Sequence, residues 1–432
     1  MKVATLSVPP GYRPAQGWDE SLAWVPRSIY TIPVEATEDQ VAVILAASNG
    51  YTVRARDAAD GRVRWTSAAL QPLTPVEAGE GGLGGGDART EIPGLETVAI
   101  NGSDHFVAWT HGIRDKDELH EGTEVLRLSV YPADAQGEAV KPLREIDVPL
   151  SAAPGAISLH GGRDGQLLVG WGAEALYPSS TAAVDMASGK VTVHKAPDRL
   201  LPQCTEQGSC SGSRVVDVVG GTPLVTSGGG GFGLPGRWSS DDVRPRGLPE
   251  TSGMWGSLNG VVHSTTNGRV LAAWHPDPQA EGAAAHPTWS VHDIRTGQLL
   301  ASMRCDYTVP SSDHGSRDTE AVTSINDRFL FAGPVTFDLE RKKGLCTAGD
   351  GNRKTVLVAS VDNRGTAYGV VEETAETESP TLVQLDLTTP TGTPEPLEPG
   401  TKAPVVGDLK GHGVFITRDA NEALLISLRR RS

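Results

Sequence analysis

One short unit constrains the fold of this chain more than any other feature of its sequence. In YTVRARDAADGRVRWTS, at residues 51–67, an alternating run ends at an aspartate, a glycine follows four residues later, and a second run contains a tryptophan. An aspartate side chain can accept hydrogen bonds from backbone N–H groups two residues ahead, and glycine adopts the left-handed conformation that closes a hairpin. The unit therefore predicts two antiparallel strands joined by a tight turn.

The same unit recurs along the chain. Its clearest copies pair an aspartate with a glycine four residues later, at Asp57/Gly61, Asp185/Gly189 and Asp293/Gly297. Weaker copies lie at residues 335–344 and 382–392. Because this is hairpin chemistry, we interpret the aspartates as structural rather than catalytic.

Eight short apolar runs suited to buried strands accompany these hairpins. They begin at Val41, His105, Gln166, Thr222, Arg269, Arg328, Thr366 and Gly413. Apolar strands that recur about every 50 residues between turns are typical of a β-propeller of four-stranded blades. Long amphipathic helical patterns are absent from the sequence. We therefore predict an all-β fold, a single propeller domain over residues 1–432 with eight blades.

The number of blades is linked to the closure of the ring. Seven blades remain the alternative if the run at Thr222 or Gly413 is only a strand within a loop. The last blade offers three apolar segments, APVVGDL, GVFITR and ALLISLRRR. We predict that KVATLSV, within residues 2–8, supplies its outer strand, and that residues 9–27 form a connecting segment. Such a strand would close the ring and remove two exposed sheet edges.

The charge and hydropathy of the chain exclude several partners. A formal net charge of -15 argues against nucleic acid and against anionic membrane surfaces. No segment approaches the roughly 20 apolar residues that span a bilayer. The first residues lack a signal-peptide pattern, so the chain is either cytosolic or the mature form of an exported domain.

The four cysteines favour the exported alternative. Cys204 and Cys210 flank a short polar loop that a disulfide would hold together, which leaves Cys305 and Cys346 as a second pair by elimination. Cys305 ends a predicted strand and Cys346 follows the hairpin of the next blade, so neighbouring blades can bring them together. Free thiols are the alternative, whereas a zinc site lacks further ligands at a matching spacing. Two disulfides would suit an oxidising compartment.

The opening unit resembles the repeat of the PQQ-like (quinoprotein-like) β-propellers, in which ALDAxTGxxxW marks the third strand, the turn and the fourth strand. The resemblance covers nearly the whole chain, most strongly at the copies with Asp57, Asp185 and Asp293. More narrowly, the chain resembles PQQ-like repeat proteins that actinobacteria export, often as predicted lipoproteins. The resemblance implies an extracytoplasmic protein, secreted or held at the cell surface as a lipoprotein. It implies little about activity, because propellers host many unrelated functions.

The sequence lacks the signatures of several known catalytic sites. PQQ-dependent dehydrogenases usually carry adjacent cysteines beside the quinone, and this chain has no adjacent pair, so neither PQQ nor another cofactor is expected. A structural calcium ion is the alternative to a protein without any bound group. The stretch GSCSG at residues 208–212 has Cys210 where a nucleophile elbow has serine. The glycine-rich runs lack the lysine and the following helix of a phosphate-binding loop.

The polar segment HGIRDKDELHEGTE, at residues 111–124, has two interpretations. It contains His111, Asp115, Asp117, His120 and Glu121. Carboxylates can bind calcium, and two histidines with carboxylates can bind a transition metal. The order matches no EF-hand, and Arg114 and Lys116 offer local ion pairs, so we predict a solvated surface loop, with a metal or catalytic site as the alternative. A second segment of this kind contains Asp313 and His314.

Three tryptophans, Trp109, Trp171 and Trp274, each end the predicted second strand of a blade. Either they pack between blades, since tryptophan buries a large area, or they form aromatic platforms for a ligand at the rim. Their equivalent positions in the repeat are compatible with both interpretations.

A non-enzymatic binding or scaffold module is the function that these features favour. Long links, among them residues 110–124, 228–242 and 306–320, are predicted to share one face of the ring, where repeat proteins often bind partners. We expect a monomer that binds a protein, a peptide or an envelope component there. The alternative is a hydrolase, lyase or lactonase that uses a metal ion or a histidine in the central channel.

Overall fold

The structure, a computed structural model, describes residues 6–27, 32–76, 92–150, 156–161, 164–172, 180–194, 200–201, 213–227, 231–248, 260–274, 286–307, 320–350, 352–372, 380–389 and 392–432. These residues form eight sheets that are arranged as an eight-bladed β-propeller. Antiparallel pairing dominates, because each alternating run is followed by a turn that reverses the chain. None of the described residues belongs to a helix long and apolar enough to cross a membrane.

The first four blades follow one another along the chain. Blade 1 consists of Val34–Ala36, Gln40–Ala47, Gly50–Asp57 and Val63–Ser67; blade 2 of Gly94–Ile100, Ser103–Arg114, Thr123–Pro132 and Arg144–Pro149; blade 3 of Ala156–Gly161, Gln166–Gly172, Ser180–Asp185 and Lys190–His194; and blade 4 of Arg214–Val219, Thr222–Ser227, Gly231–Leu234 and Trp238–Ser239. A further strand, Gly137–Val140, pairs in parallel with the outer strand of blade 1 and covers that edge.

The last four blades complete the ring. Blade 5 consists of Val261–Thr266, Arg269–Trp274, Thr288–Asp293 and Leu299–Arg304; blade 6 of Val322–Thr323, Phe329–Ala332, Val335–Asp338 and Lys343–Cys346; blade 7 of Val356–Val361, Thr366–Val371, Leu382–Asp386 and Glu395–Pro396; and blade 8 of Val406–Leu409, His412–Arg418, Leu424–Arg431 and Tyr12–Leu22. At several boundaries the first strands of neighbouring blades contact each other, which places the first strands at the inner edge of the ring.

The structure confirms the prediction of eight blades. Each of the eight apolar runs forms the second strand of a blade. The runs on which the seven-blade alternative depended lie in Thr222–Ser227 and His412–Arg418, both paired on two sides. One prediction about the links is wrong: the stretch 228–242 contains Gly231–Leu234 and Trp238–Ser239, strands too short to be recognised from apolar alternation.

An N-terminal strand closes the ring, but not at the predicted place. Tyr12–Leu22 pairs antiparallel with Leu424–Arg431 and lies within the segment predicted as a connection. Residues 6–8 form no strand, and residues 2–5 lie outside the described residues. Trp18 and Leu22 are buried in a cluster shared by blades 8 and 1, whereas most residues around them are polar. The apolar positions are too sparse to reveal this strand as an alternating run.

The aspartate–glycine turns connect neighbouring blades as well as neighbouring strands. Asp57 accepts a hydrogen bond from the N–H of Ala59 at 2.9 Å, and Gly61 has a φ of 71°, as the hairpin chemistry predicts. The indole N–H of Trp18, on the outer strand of blade 8, donates to the carbonyl oxygen of Ala58 at 3.1 Å. A Cβ added at Gly61 would lie 2.5 Å from the Trp18 ring. Glycine is therefore required both by conformation and by close packing.

The same contact recurs at other blade boundaries. Trp65 of blade 1 donates to the carbonyl oxygen of Ala133 in blade 2, and Trp238 of blade 4 donates to that of Ile294 in blade 5, both at 3.2 Å. Between blades 2 and 3 the guanidinium of Arg144 donates instead to two turn carbonyl oxygens, at 2.9 and 2.8 Å. Each such side chain docks onto the turn of the next blade. We call this contact the turn dock. A tryptophan docks at the turns of Asp57 and Asp293, and an arginine docks at the turn of Asp185.

The hydrophobic core is divided among the interfaces between neighbouring blades. Leu128 of blade 2 packs in one cluster with Val169 of blade 3, and Leu271 of blade 5 packs in another with Leu330 of blade 6. Because the blades bury their faces against each other, apolar burial at roughly 25 cal/mol per Å² holds the ring together.

The structure also confirms one predicted disulfide. Cys305 and Cys346 are bonded, with their Cα atoms 5.4 Å apart. The bond links the residue after the outer strand of blade 5 to the end of the outer strand of blade 6. Cys204 and Cys210 lie outside the described residues, so their pairing stays a prediction.

Candidate functional site

The second and third strands of blade 2 form the longest strand pair among the described residues. Their pairing runs from His105 with Pro132 to Arg114 with Thr123. The first strand of the blade accompanies them only as far as Trp109. The residues that continue beyond it, 111–124, are named the finger. They lie on the face of the ring that carries the links between second and third strands.

A neighbouring segment supports the free edge of the finger. Thr74 and Ile113 exchange two backbone hydrogen bonds, at 3.0 and 2.8 Å. A Cβ added at Gly112 would lie 2.5 Å from the side chain of Leu73, so the two segments approach closely. On the opposite edge, Arg144–Pro149 pairs as far as Val125. The finger is therefore supported on both sides where it leaves the blade.

Hydrogen-bonded polar side chains fix the base of the finger. His111 Nε2 lies 2.8 Å from Glu124 Oε1 on the opposite strand, and the His111 side chain is 5% exposed. Arg127 binds Asp147 on the outer strand through two hydrogen bonds at 2.7 and 3.0 Å, and Arg114 adds a third at 3.0 Å. The hydrogen bonds from Arg127 and then Arg114 lower the pKa of Asp147, so its carboxylate stays ionised at neutral pH.

Asp117 organises the tip of the finger, residues 115–122. Its carboxylate accepts hydrogen bonds from the backbone N–H groups of Leu119 and His120 and from the imidazole of His120, each at 2.8 Å. The backbone N–H of Leu119, followed by the His120 side chain, lowers the pKa of Asp117. Gly122 has a φ of 76°, and a Cβ added there would lie 2.5 Å from the Arg114 carbonyl oxygen. The tip thus has a defined backbone conformation.

The tip exposes an apolar side chain among carboxylates. Leu119 is 89% exposed, and the next most exposed large apolar side chain of the described residues is Leu143, at 63%. Asp115, Glu118 and Glu121 are also exposed at the tip. The one signal of this feature in the sequence is the single leucine within the charged run DKDELHEG.

The structure separates the site residues predicted in this segment. His111 lies at the base, whereas Asp115, Asp117, His120 and Glu121 lie at the tip. Among the described residues, no group of three or more histidine, cysteine, aspartate or glutamate side chains is placed to hold a metal ion. Residues 111–114 and 123–124 extend the two strands, and residues 115–122 form the exposed loop between them. Asp313 and His314 lie outside the described residues.

The three tryptophans singled out in the sequence occupy packing positions. Trp171 is 3% exposed and Trp274 is 1% exposed, each within an inter-blade cluster. Trp109 is half-buried, and its indole lies against Gly94, where an added Cβ would be 2.3 Å away. Burial leaves Trp171 and Trp274 without a free ring face on which a ligand could stack.

One serine–histidine pair is sealed inside the ring. His292 Nε2 lies 2.8 Å from Ser290 Oγ, which also accepts a hydrogen bond from Trp274 Nε1 at 2.7 Å. The second imidazole nitrogen faces the carbonyl oxygen of Gly297 at 3.1 Å rather than a carboxylate. Burial lowers the pKa of His292 to about 4, so the ring is neutral at physiological pH. Because all three side chains are buried, the pair cannot reach a substrate, and its role is structural.

Asp217 is a perturbed acid on the inner strand of blade 4. The backbone N–H of Val218 donates to its carboxylate at 2.7 Å, next to a bulge that begins at Val215. Burial raises the pKa of Asp217 to about 6, with a partial offset from the charge of His160 on blade 3. The bulge that turns Asp217 into this environment has no signal in the sequence.

Several solved structures are similar to this chain at low sequence identity. No protein-family model and no curated protein matches the chain. The WD40 domain of Toxoplasma gondii coronin is similar over 99% of this chain and 89% of its own, at 11% identity and a TM-score of 0.35. The β-propeller domain of the Trilobed protease from Pyrococcus furiosus is similar over 87% and 99%, at 13% identity and 0.33. Polysaccharide lyase Uly1 is similar over 94% and 91%, at 7% identity and 0.38. Identities this low carry no statement about activity.

Proposed function

We propose that this chain is an exported, non-enzymatic binding or scaffold module for a protein, a peptide or an envelope component. The observation that carries the proposal is the finger. Its base is fixed by the His111–Glu124 pair and by the two arginines on Asp147, while its tip projects a defined conformation into solvent. A rigid element loses little conformational entropy on binding, which is the property that a recognition surface requires.

The chemistry of the finger favours binding over catalysis. Its tip is exposed and its polar groups bond to one another, as in the contact of Asp117 with His120. A catalytic group needs a concave site that excludes water and holds a reacting atom. The metal- or histidine-dependent enzyme remains the second hypothesis, and metal analysis of the protein after mild purification tests it: a stoichiometric metal ion would favour the enzyme.

Export is the second part of the proposal. The Cys305–Cys346 bond supports it, because structural disulfides persist in oxidising compartments. The recurring unit of aspartate turn, glycine and docked tryptophan supports a relation to the PQQ-like repeat propellers, with no cofactor required for binding. Secretion to the cell surface, and the lipoprotein form, are parts of this proposal that fractionation of the source cells would test.

The test of the binding function removes the tip and retains the blade. Residues 115–122 are replaced by Asn-Gly, which joins Arg114 to Thr123 through a two-residue hairpin turn. A matched control replaces the same eight residues with glycine and serine and so retains the length without the side chains. Both variants should melt within about 3 °C of the full chain, since the tip buries little apolar surface.

Cross-linking of each protein to the envelope fraction of the source cells gives the readout. The full chain should capture a partner that both tip variants lose at least tenfold. Equal capture of the same partner by all three proteins, or no partner captured by the full chain, would contradict the proposed function.

A further inference from the structure

We propose that the finger inserts Leu119 into an apolar pocket on a partner protein whose rim carries lysine or arginine. This inference rests on the proposed binding function and adds the chemistry of the partner. It joins two observations at one place: the most exposed large apolar side chain of the described residues, and the carboxylates that surround it.

The fold of the tip does not use the side chain of Leu119. The tip is held by the Asp117 carboxylate, which bonds the backbone N–H of Leu119 and both donors of His120. The leucine side chain itself stays 89% exposed. Its backbone is therefore fixed while its apolar surface remains in water, so burying it in a partner gains hydrophobic free energy without ordering the tip first.

The charges around Leu119 select the kind of partner. Asp115, Glu118 and Glu121 are exposed, and the one lysine of the tip, Lys116, is only partly exposed. The chain as a whole is also acidic, with a formal net charge of -15. This field attracts a basic rim and repels phosphate and anionic lipid, so nucleic acid and membrane surfaces are unsuitable partners. A partner with an uncharged pocket would gain nothing from these carboxylates.

The base of the finger makes the projection suitable for insertion. Asp147 holds Arg127 and Arg114, and Thr74 pairs with Ile113 along the free edge. Asp147 and Asp115, which binds Arg114 at 3.1 Å, together offset the charges of the two arginines. Glu118 and Glu121 remain as exposed carboxylates beside Leu119 in the tip. The exposed charge of the finger is therefore concentrated around Leu119 rather than spread along the strands.

The experiment uses the full chain and the partner that it captures. Leu119→Ser should weaken capture by about thirtyfold, the loss expected for one leucine removed from an apolar pocket. Leu119→Met is the matched control and should retain capture within about threefold, because methionine keeps the apolar volume. Both substitutions lie on an exposed side chain, so melting temperature should not change.

Two further measurements test the basic rim. The double variant Glu118→Gln with Glu121→Gln should weaken capture about tenfold at 50 mM salt and much less at 500 mM, because salt screens exposed charge pairs. Carbodiimide cross-linking, which joins carboxylates to lysine amines, should link Glu118 or Glu121 to lysines of the partner.

The outcomes separate this inference from the proposed function. If deletion of the tip abolishes capture but Leu119→Ser does not, binding stands and the apolar anchor is wrong. If the loss caused by the glutamine variant is independent of salt, and cross-links to lysine are absent, the basic rim is wrong. If deletion of the tip changes nothing, both fail together.

Discussion

Two boundaries of the ring hold neighbouring blades by different means. At the closing boundary, between blades 8 and 1, Trp18 docks onto the turn at Ala58, and Glu20 pairs with the largely buried Arg56. At the boundary between blades 5 and 6 a covalent bond links Cys305 to Cys346. There the nearby indole, Trp289, has no hydrogen-bond partner for its N–H among the described residues.

The difference shows that the outer strands of neighbouring blades can be held together by two kinds of contact, a hydrogen bond from a docked side chain or a disulfide. Outer strands lie far from the packed inner edge of the ring, so they need a contact that prevents neighbouring blades from separating. The turn dock supplies a directional hydrogen bond and ring packing, whereas the disulfide supplies a link that does not depend on solvent. The closing boundary additionally has a largely buried ion pair, Arg56 of blade 1 with Glu20 of blade 8.

Asp19→Ala should cause the largest loss of stability, within blade 8, where the N-terminal strand pairs with Leu424–Arg431 and closes the ring. The Asp19 carboxylate lies 2.8 Å from Arg429 Nη2, and the Arg429 side chain is completely buried. Removing the carboxylate takes away the negative charge that Asp19 places beside a buried guanidinium, which costs about 3–5 kcal/mol. Urea unfolding followed by tryptophan fluorescence measures the change.

The control for Asp19 is an exposed ion pair that also joins the N-terminal segment to the C-terminal part of blade 8. Glu422 lies 3.7 Å from Arg27, and both side chains are largely exposed. Glu422→Gln should cost less than about 1 kcal/mol. An equal loss for Asp19→Ala and Glu422→Gln would contradict the assignment of the buried pair to ring closure.

Replacing both Cys305 and Cys346 with alanine should have the next largest effect, about 2–4 kcal/mol. The bond joins two residues with a sequence separation of 41. Removing the bond increases the conformational entropy of the unfolded chain and so lowers the free energy of unfolding. Native-state hydrogen exchange should show faster opening of Leu299–Arg304 and Lys343–Cys346 than of Tyr12–Leu22. Uniform acceleration across the ring would show that the disulfide does not act on its own boundary.

Asp217→Asn tests a charge on the inner strand of blade 4. Burial raises the folded pKa of Asp217 to about 6 from 3.8, so the folded state retains the proton that the unfolded state loses. Stability contributed by this group is present below about pH 4 and falls as the pH rises to about 6, by up to about 3 kcal/mol. The asparagine variant should be more stable than the original at pH 7.5, and their thermal unfolding curves should converge at pH 4. Parallel pH profiles would contradict this.

Trp238→Phe should have the smallest effect, about 1 kcal/mol, because it removes one hydrogen bond and retains an aromatic ring over the turn. The lost bond joins Trp238 Nε1 to the Ile294 carbonyl oxygen at 3.2 Å. Trp65→Phe, which removes the equivalent bond to Ala133, is the matched variant. Similar small losses of stability in the two variants would support a shared turn dock. No loss in either variant would show that the aromatic ring stabilises the turn by packing alone, without a contribution from the hydrogen bond.

Local chemistry explains which parts of the fold could be predicted. Asp57 and Gly61 specify their turn through contacts within a few residues, so their role could be read directly from the sequence. The pairing of His111 with Glu124 could not, because it depends on the register of two strands that run well beyond the blade. The exposure of Leu119 could not be predicted for the opposite reason, because apolar patterns indicate which side chains are buried and not which remain exposed.

The sequence by itself determined the all-β class, the eight blades and the hairpin turns, because these depend on alternation and turn residues over short spans. The tertiary structure alone decided that Tyr12–Leu22 closes the ring and that Trp18 docks at Ala58. It also brought Cys305 to Cys346, a pairing that the sequence suggested only by elimination. The physical reason is the same in each case. Contacts between distant residues form only when all eight blades are assembled, and the energy that selects them comes from the whole ring rather than from any local run.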